Sequence, residues 1–127
     1  MAPTTIEQVR EWNKAFNLPL PGKPTLDEDT IPLQANLMQE ELDEFNEAFN
    51  AGDLVEALDA LSDMQYILDG LYLKLGMGDI KDEAFAEVHR SNMSKLDRDG
   101  KPILRGDGKI LKGPDYFKPD LVQFLHP

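Results

Sequence analysis

The amino-acid sequence predicts an all-α fold. Apolar residues recur at steps of three and four as far as Leu96, and Thr, Asp and Gly punctuate that pattern where helices should start and stop. Only one piece, KPILRGDGKILK near the C-terminus, departs from this, with two short apolar pieces around a Gly-rich turn that predict a small β-hairpin or an ordered loop. With 127 residues, 41% of them apolar, the chain is long enough for one domain with a real core. We expect a single domain over residues 1–127, built as a bundle of four main helices. Residues 96–127 should form an irregular tail or lid with a short terminal helix.

Each element has its own signal. Thr4 and Glu7 form a capping box ahead of Ile6, Val9, Trp12 and Phe16, so the first helix should run from about Ile6 to Asn17. PLPGKP, residues 19–24, is a loop by composition. A second helix should start near Thr30 with Pro32 in its first turn, carry Met38, Leu42, Phe45 and Phe49 as its apolar stripe, and end at Gly52. Asp53 can cap a third helix that reaches Leu75 before Gly76 stops it. So short a turn between two long helices implies an antiparallel hairpin. Asp79 should cap a fourth helix extending to about Leu96, and Pro119 should open a last short one.

The charge pattern narrows the function. Net charge is −11, which argues against nucleic acid as a partner. There is no cysteine, so disulfides and thiolate chemistry are excluded. No apolar run approaches a membrane span and no signal pattern precedes the first helix, so a cytoplasmic protein with no membrane partner is expected. Between Pro24 and Leu73 there are thirteen acidic residues and no Lys or Arg, whereas Lys74 to Pro127 holds ten basic and nine acidic residues.

The acidic residues share faces. At about 100° per residue, Glu40, Glu41 and Glu44 lie together on the second helix, bordering its apolar stripe. On the third helix Glu56, Asp59 and Asp63 form one narrow stripe, although about half of that helix is apolar and should be buried. Like charges at this spacing destabilise a helix, and an unpaired buried carboxylate costs far more. A divalent cation answers this demand, since Mg²⁺ takes oxygen ligands and keeps waters that a substrate phosphate can replace. Against that reading, an acidic helix face is commonly just solvated, and Asp53 with Glu56 is also a capping box.

The motif Glu40-Glu41-x-x-Glu44, followed after a short turn by a second acidic helix, resembles the MazG-like all-α NTP pyrophosphohydrolase superfamily. The segments FAEVHRSNMSK and DGKILKGPDYFKPDL are similar to its small branch related to phosphoribosyl-ATP pyrophosphohydrolases, and the dimeric dUTPases belong to the same group. Glu56-x-x-Asp59 matches the family's second motif literally. Asp63, directly before MQYIL, stands where the motif Asp often leads into an apolar run, but Ala60 then occupies the Glu position.

The resemblance implies metal-dependent hydrolysis of a nucleoside triphosphate between its α- and β-phosphates, with Mg²⁺ as the cofactor and Mn²⁺ as a substitute. Glu41 and Glu44 are the candidate metal ligands on the second helix, and on the third the literal motif match favours Glu56 and Asp59, with Asp63 beside them as a third. Of Glu40 and Glu41 as the group that activates water, Glu40 is placed nearer it. Candidate substrate contacts are Asn92, expected on the buried face of the fourth helix, and Lys95 nearly a turn beyond it. Lys109 and Lys112 on the Gly-rich tail could close over phosphates, or belong to a solvated loop. Trp12 reads by default as core and, by the resemblance, as a residue that stacks on the base. The wide apolar surface of the hairpin and the resemblance both point to a homodimer or a dimer of dimers. The reading from another class is a non-catalytic helical dimerisation or nucleotide-binding module that keeps a structural cation.

Overall fold

The computed structural model describes residues 2–125. Those residues contain four α-helices and no strand, so the fold is all-α. None of the described helices is long and apolar enough to cross a membrane. The chain divides into two compact units, Met1–Asp79 and Ile80–Pro127.

The first unit holds three helices. Helix α1 spans Thr5–Ala15, and its N-cap Thr4 accepts a hydrogen bond from the Glu7 N–H at 3.3 Å. It stops two residues earlier than expected because Asn17 takes a left-handed conformation at φ 55° and the Leu18 N–H returns to the Asn13 carbonyl at 2.8 Å. Helices α2, Ile31–Ala51, and α3, Leu54–Lys74, have 21 residues each, roughly 31 Å. Gly52, at φ 67°, turns one into the other, and the Asp53 carboxylate accepts the Glu56 N–H at 3.1 Å. Helix α3 packs against both α2 and α1 and is the centre of this unit.

Packing corrects the expected faces. On α1 the buried residues are Val9 and Asn13, while Trp12 is 45% and Phe16 57% exposed, so the default placement of Trp12 in the core does not hold. Only a few α3 residues are buried, among them Ala60, Gly70 and Leu73. Leu54 (85% exposed), Val55 and Leu58 lie open, because no other helix of this unit covers that side. On α2, Phe49 and Leu42 of the expected stripe are likewise exposed.

In the second unit α4 runs over Lys81–Met93, three residues short of the expected end. Asp79 does not cap it. Its carboxylate lies 3.3 Å from Arg10 of the first unit's own α1, and Ile80 occupies the cap position without a side-chain bond. The buried residues of α4 are Glu87 and Ser91. Glu87 binds Arg90 at 2.9 Å and accepts the Asp120 N–H at 2.7 Å, and the Ser91 hydroxyl donates to the Phe117 carbonyl at 2.8 Å. These bonds fix the tail on its helix. The strand-like piece is a hairpin reduced to one isolated bridge between Leu104 and Ile110. The terminal helix is a 3-10 turn, Val122–Phe124.

Two glycines with positive φ separate conformational strain from steric clash. Nothing lies within 4 Å of where a Gly52 Cβ would stand, whereas a Cβ on Gly76, at φ 69°, would meet the Lys23 carbonyl oxygen at 2.0 Å. Gly52→Ala should cost about 1 kcal/mol, the left-handed penalty alone. Gly76→Ala should cost clearly more, because loop 23–25, held by the Thr25 N–H to Leu75 carbonyl bond of 2.9 Å, must move off the end of α3. Urea unfolding midpoints of the two variants check this order.

Candidate active site

Antiparallel pairing brings the middle of α2 against the first half of α3, and their carboxylates meet there. Glu41 is half-buried, and its Oε2 is buried with no hydrogen-bond partner. Burial, then the Glu44 carboxyl with which it shares a hydrogen bond, then the charge of Asp63 push its carboxyl up to about 7. Glu44 and Asp59 add their charges to the same effect. Asp63, also half-buried, is held above the usual carboxylate range by burial first and then by the charges of Asp59 and Glu44. Four expected residues, Glu41, Glu44, Asp59 and Asp63, thus form one electrostatic cluster.

Glu40 and Glu56 are exposed, and neither is among the charges acting on Glu41 or Asp63. Among the described residues, no three His, Cys, Asp or Glu side chains are gathered closely enough to hold a metal ion as they stand. The chemistry of the cluster nevertheless fits a hard cation: all its donors are carboxylate oxygens, and one of them is buried without a partner.

A cleft of about 490 Å³ opens beside the cluster, with Glu41 and Asp63 in its wall. Trp12 also lines it, its ring tilted by 33° against Phe16 at 4.0 Å between centroids and edge-on to Tyr66, another wall residue, at 5.9 Å. Sequence reasoning missed three more wall residues, Asn13, Gln34 and Lys74. Asn13 and Gln34 are buried amides, and apolar periodicity assigns polar residues to the surface. Lys74 has its ammonium pKa lowered by burial. The positions themselves carried one usable signal: Asn13 follows Val9 by one turn, on the face that packs.

The other expected substrate contacts belong to the second unit. Asn92 is exposed there, not buried; the α4 face with Glu87 and Ser91 is the one that packs, and Phe85 is 68% exposed on the other. Lys95 is half-buried, and its carbonyl lies so close to Gly113 that any Cβ there would clash. Lys109 is exposed in the hairpin turn, its N–H bonded to Asp107 at 3.2 Å. Lys112 lies over the Tyr116 ring at 4.9 Å.

The family model for phosphoribosyl-ATP pyrophosphohydrolase matches residues 9–92, which include α2, α3 and the whole acidic cluster. The chain belongs to the phosphoribosyl-ATP pyrophosphohydrolase family. Among solved structures it is similar to a protein from Exiguobacterium sp. 255-15 assigned as an NTP pyrophosphohydrolase, at 24% identity and a TM-score of 0.49, over 94% of this chain and 90% of that one. No curated protein matches it. Membership makes this chain a pyrophosphohydrolase, and the matched span takes in the cluster and all the residues that line the cleft.

The perturbed carboxyl of Glu41 gives the metal-free protein a signed pH dependence. A pKa raised from 4.5 to about 7 contributes stability that is fully present below about pH 4.5 and lost as pH rises through 7. In EDTA, Glu41→Gln should therefore raise the melting temperature at pH 8 and leave it nearly unchanged at pH 4.5. An equal shift at both pH values, by scanning calorimetry, would contradict the assignment.

Proposed function

We propose that the chain is a Mg²⁺-dependent nucleoside triphosphate pyrophosphohydrolase that cleaves between the α- and β-phosphates, releasing monophosphate and pyrophosphate. The observation that carries the proposal is the Glu41–Glu44–Asp59–Asp63 cluster, a concentration of negative charge with a buried unpartnered oxygen, two of whose members line a ligand-sized cleft. Family membership supports the reaction class.

Glu41, Glu44, Asp59 and Asp63 are the groups that would hold the cation, with Mn²⁺ as a substitute for Mg²⁺. Glu56, one turn from Asp59 and exposed, is the fifth candidate. A bound divalent cation supplies neutralisation of phosphate oxygens and a water of lowered pKa. Glu40, exposed and next to Glu41 in the chain, would be the base that orients the attacking water and accepts its proton. Trp12 would meet the nucleoside; Asn92, Lys95, Lys109 and Lys112 are proposed as donors to the phosphates on the resemblance alone. The reaction needs no cysteine, no nucleic acid and no membrane, which suits the composition.

The active form is a homodimer or a dimer of dimers. Support comes from the exposed apolar surface of the hairpin, where Phe49 (74%), Leu54 (85%), Val55 (75%) and Leu58 (66%) lie open, more than a stable monomer usually leaves uncovered. Sedimentation velocity should show a species at least twice 14.3 kDa, and Leu58→Lys should shift it toward monomer.

The reaction is tested by incubating the protein with ribo- and deoxyribonucleoside triphosphates, and with phosphoribosyl-ATP, in Mg²⁺, Mn²⁺ or EDTA, and assaying pyrophosphate. Metal-dependent release is expected, with Asp59→Asn lowering turnover by about 100-fold or more while the helical circular dichroism is kept. No release from any of these substrates by folded, metal-supplied protein would favour the non-catalytic nucleotide-binding module.

A further inference from the structure

A second hollow, of about 520 Å³, lies on the other flank of the α1–α3 contact, and none of the four cluster carboxylates lines it. Val9 and Tyr66 stand in both walls and separate it from the cleft. Helix α1 gives it Thr5, Gln8 and Glu11, and α3 gives it Ser62, Gln65 and Asp69. The proposed hydrolysis uses none of these groups.

The two helices run antiparallel along it. A Val9 methyl lies 4.0 Å from where a Gly70 Cβ would stand, and the Trp12 and Tyr66 rings meet at 5.9 Å. Residue numbers therefore rise on one helix as they fall on the other. Glu11 stands toward the Ser62 end of the hollow, and Thr5 toward the Asp69 end. Each end thus has one carboxylate, and the α3 side from Ser62 to Asp69 is about 10 Å long. Tyr66, 41% exposed, lies midway.

The wall is rich in acceptors and contains no Lys or Arg. Glu11, Ser62, Thr5, Gln8 and Gln65 are exposed, so a ligand can reach their oxygens. Asp69 is 0% exposed and acts on that end from behind the wall. A carboxylate has about four acceptor sites, so Asp69 can serve the fold and still lend the end negative charge. The Tyr66 ring adds the attraction of an aromatic face for a cation.

We propose that this hollow binds a linear aliphatic polyamine. One terminal ammonium is held by Glu11 and Ser62, and the other by Thr5 and Gln8 in the field of Asp69. The alkyl chain lies along Val9 and Tyr66. An extended chain gains about 1.2 Å per bond, so terminal nitrogens about eight or nine bonds apart span the hollow. The net charge of −11 draws such cations to the protein, and the spacing of the acceptors selects among them. The site stands independently of the hydrolase reading.

The test is a titration of the full chain read by the fluorescence of Trp12, the single tryptophan, whose ring meets Tyr66 edge-on. Calorimetry on the same samples reads any binding that leaves Trp12 unchanged. Mg²⁺ is kept in excess so that the acidic cluster does not compete. The probes are spermidine, 1,7-diaminoheptane, 1,3-diaminopropane and heptylamine. Spermidine and the long diamine should saturate one site and bind about tenfold or more tightly than the short diamine and the monoamine. Glu11→Gln should remove that advantage, whereas Glu47→Gln, at an exposed acid of α2, should keep it. Both positions are exposed, so neither change threatens the fold. Equal affinity for the four amines, or titrations that do not saturate, would overturn the proposal and leave general attraction to an acidic protein. Equal loss in the two variants, or no loss in Glu11→Gln, would overturn it as well.

Discussion

Mutual repulsion among Glu41, Glu44, Asp59 and Asp63 is the constraint around which this chain is organised. Two helices of 21 residues are joined through Gly52 so tightly that their acidic faces meet, and from Pro24 to Leu73 no Lys or Arg interrupts the charge. A chain selected for stability alone would place cations between them. The cost is visible in the Glu41 carboxyl, which burial and its neighbours push up to about 7. Such a cluster is a stored demand for positive charge, and the proposed cation with its triphosphate is what answers it.

The rest of the first unit serves that cluster. Asp53 and Gly52 set the phase of α3 relative to α2, and α1 lies along α3 so that Trp12 and Asn13 reach the cleft beside Asp63. The apolar side of the hairpin, with Leu54, Val55 and Leu58 exposed, is left to the proposed second copy. In the second unit, buried Glu87 ties Arg90 and the Asp120 backbone together, so a tail with almost no regular structure is still held on α4.

Much of this was legible in the sequence, for physical reasons that also explain the misses. Helix ends were readable where the stop is local, as at Gly52 and Asp53, whose conformation and side chain act within one turn. The expected Asp79 cap failed because its carboxylate is taken by Arg10, 69 residues away in sequence, which no local rule contains. Burial failed similarly on α1. Apolar periodicity puts Trp12 inside and Asn13 outside, whereas packing of Val9 toward Gly70 puts Asn13 inside. On α4 the same error placed Asn92 inside in place of Ser91. In the acidic motif, spacing identified the stripe but not its register against the partner helix, so only the paired structure separates Asp63, which faces Glu41, from Glu56, which is not among the charges acting on it.

Mn²⁺ binding, followed by the electron paramagnetic resonance signal of the free ion, tests the central claim most directly, in wild type, Glu41→Gln and Asp63→Asn. The account predicts saturable binding by the wild type that either variant abolishes while the helical circular dichroism is retained. Equal Mn²⁺ binding by all three proteins, or none by the folded wild type even with an α,β-imido nucleotide present, would contradict the assignment of this cluster as the cation site.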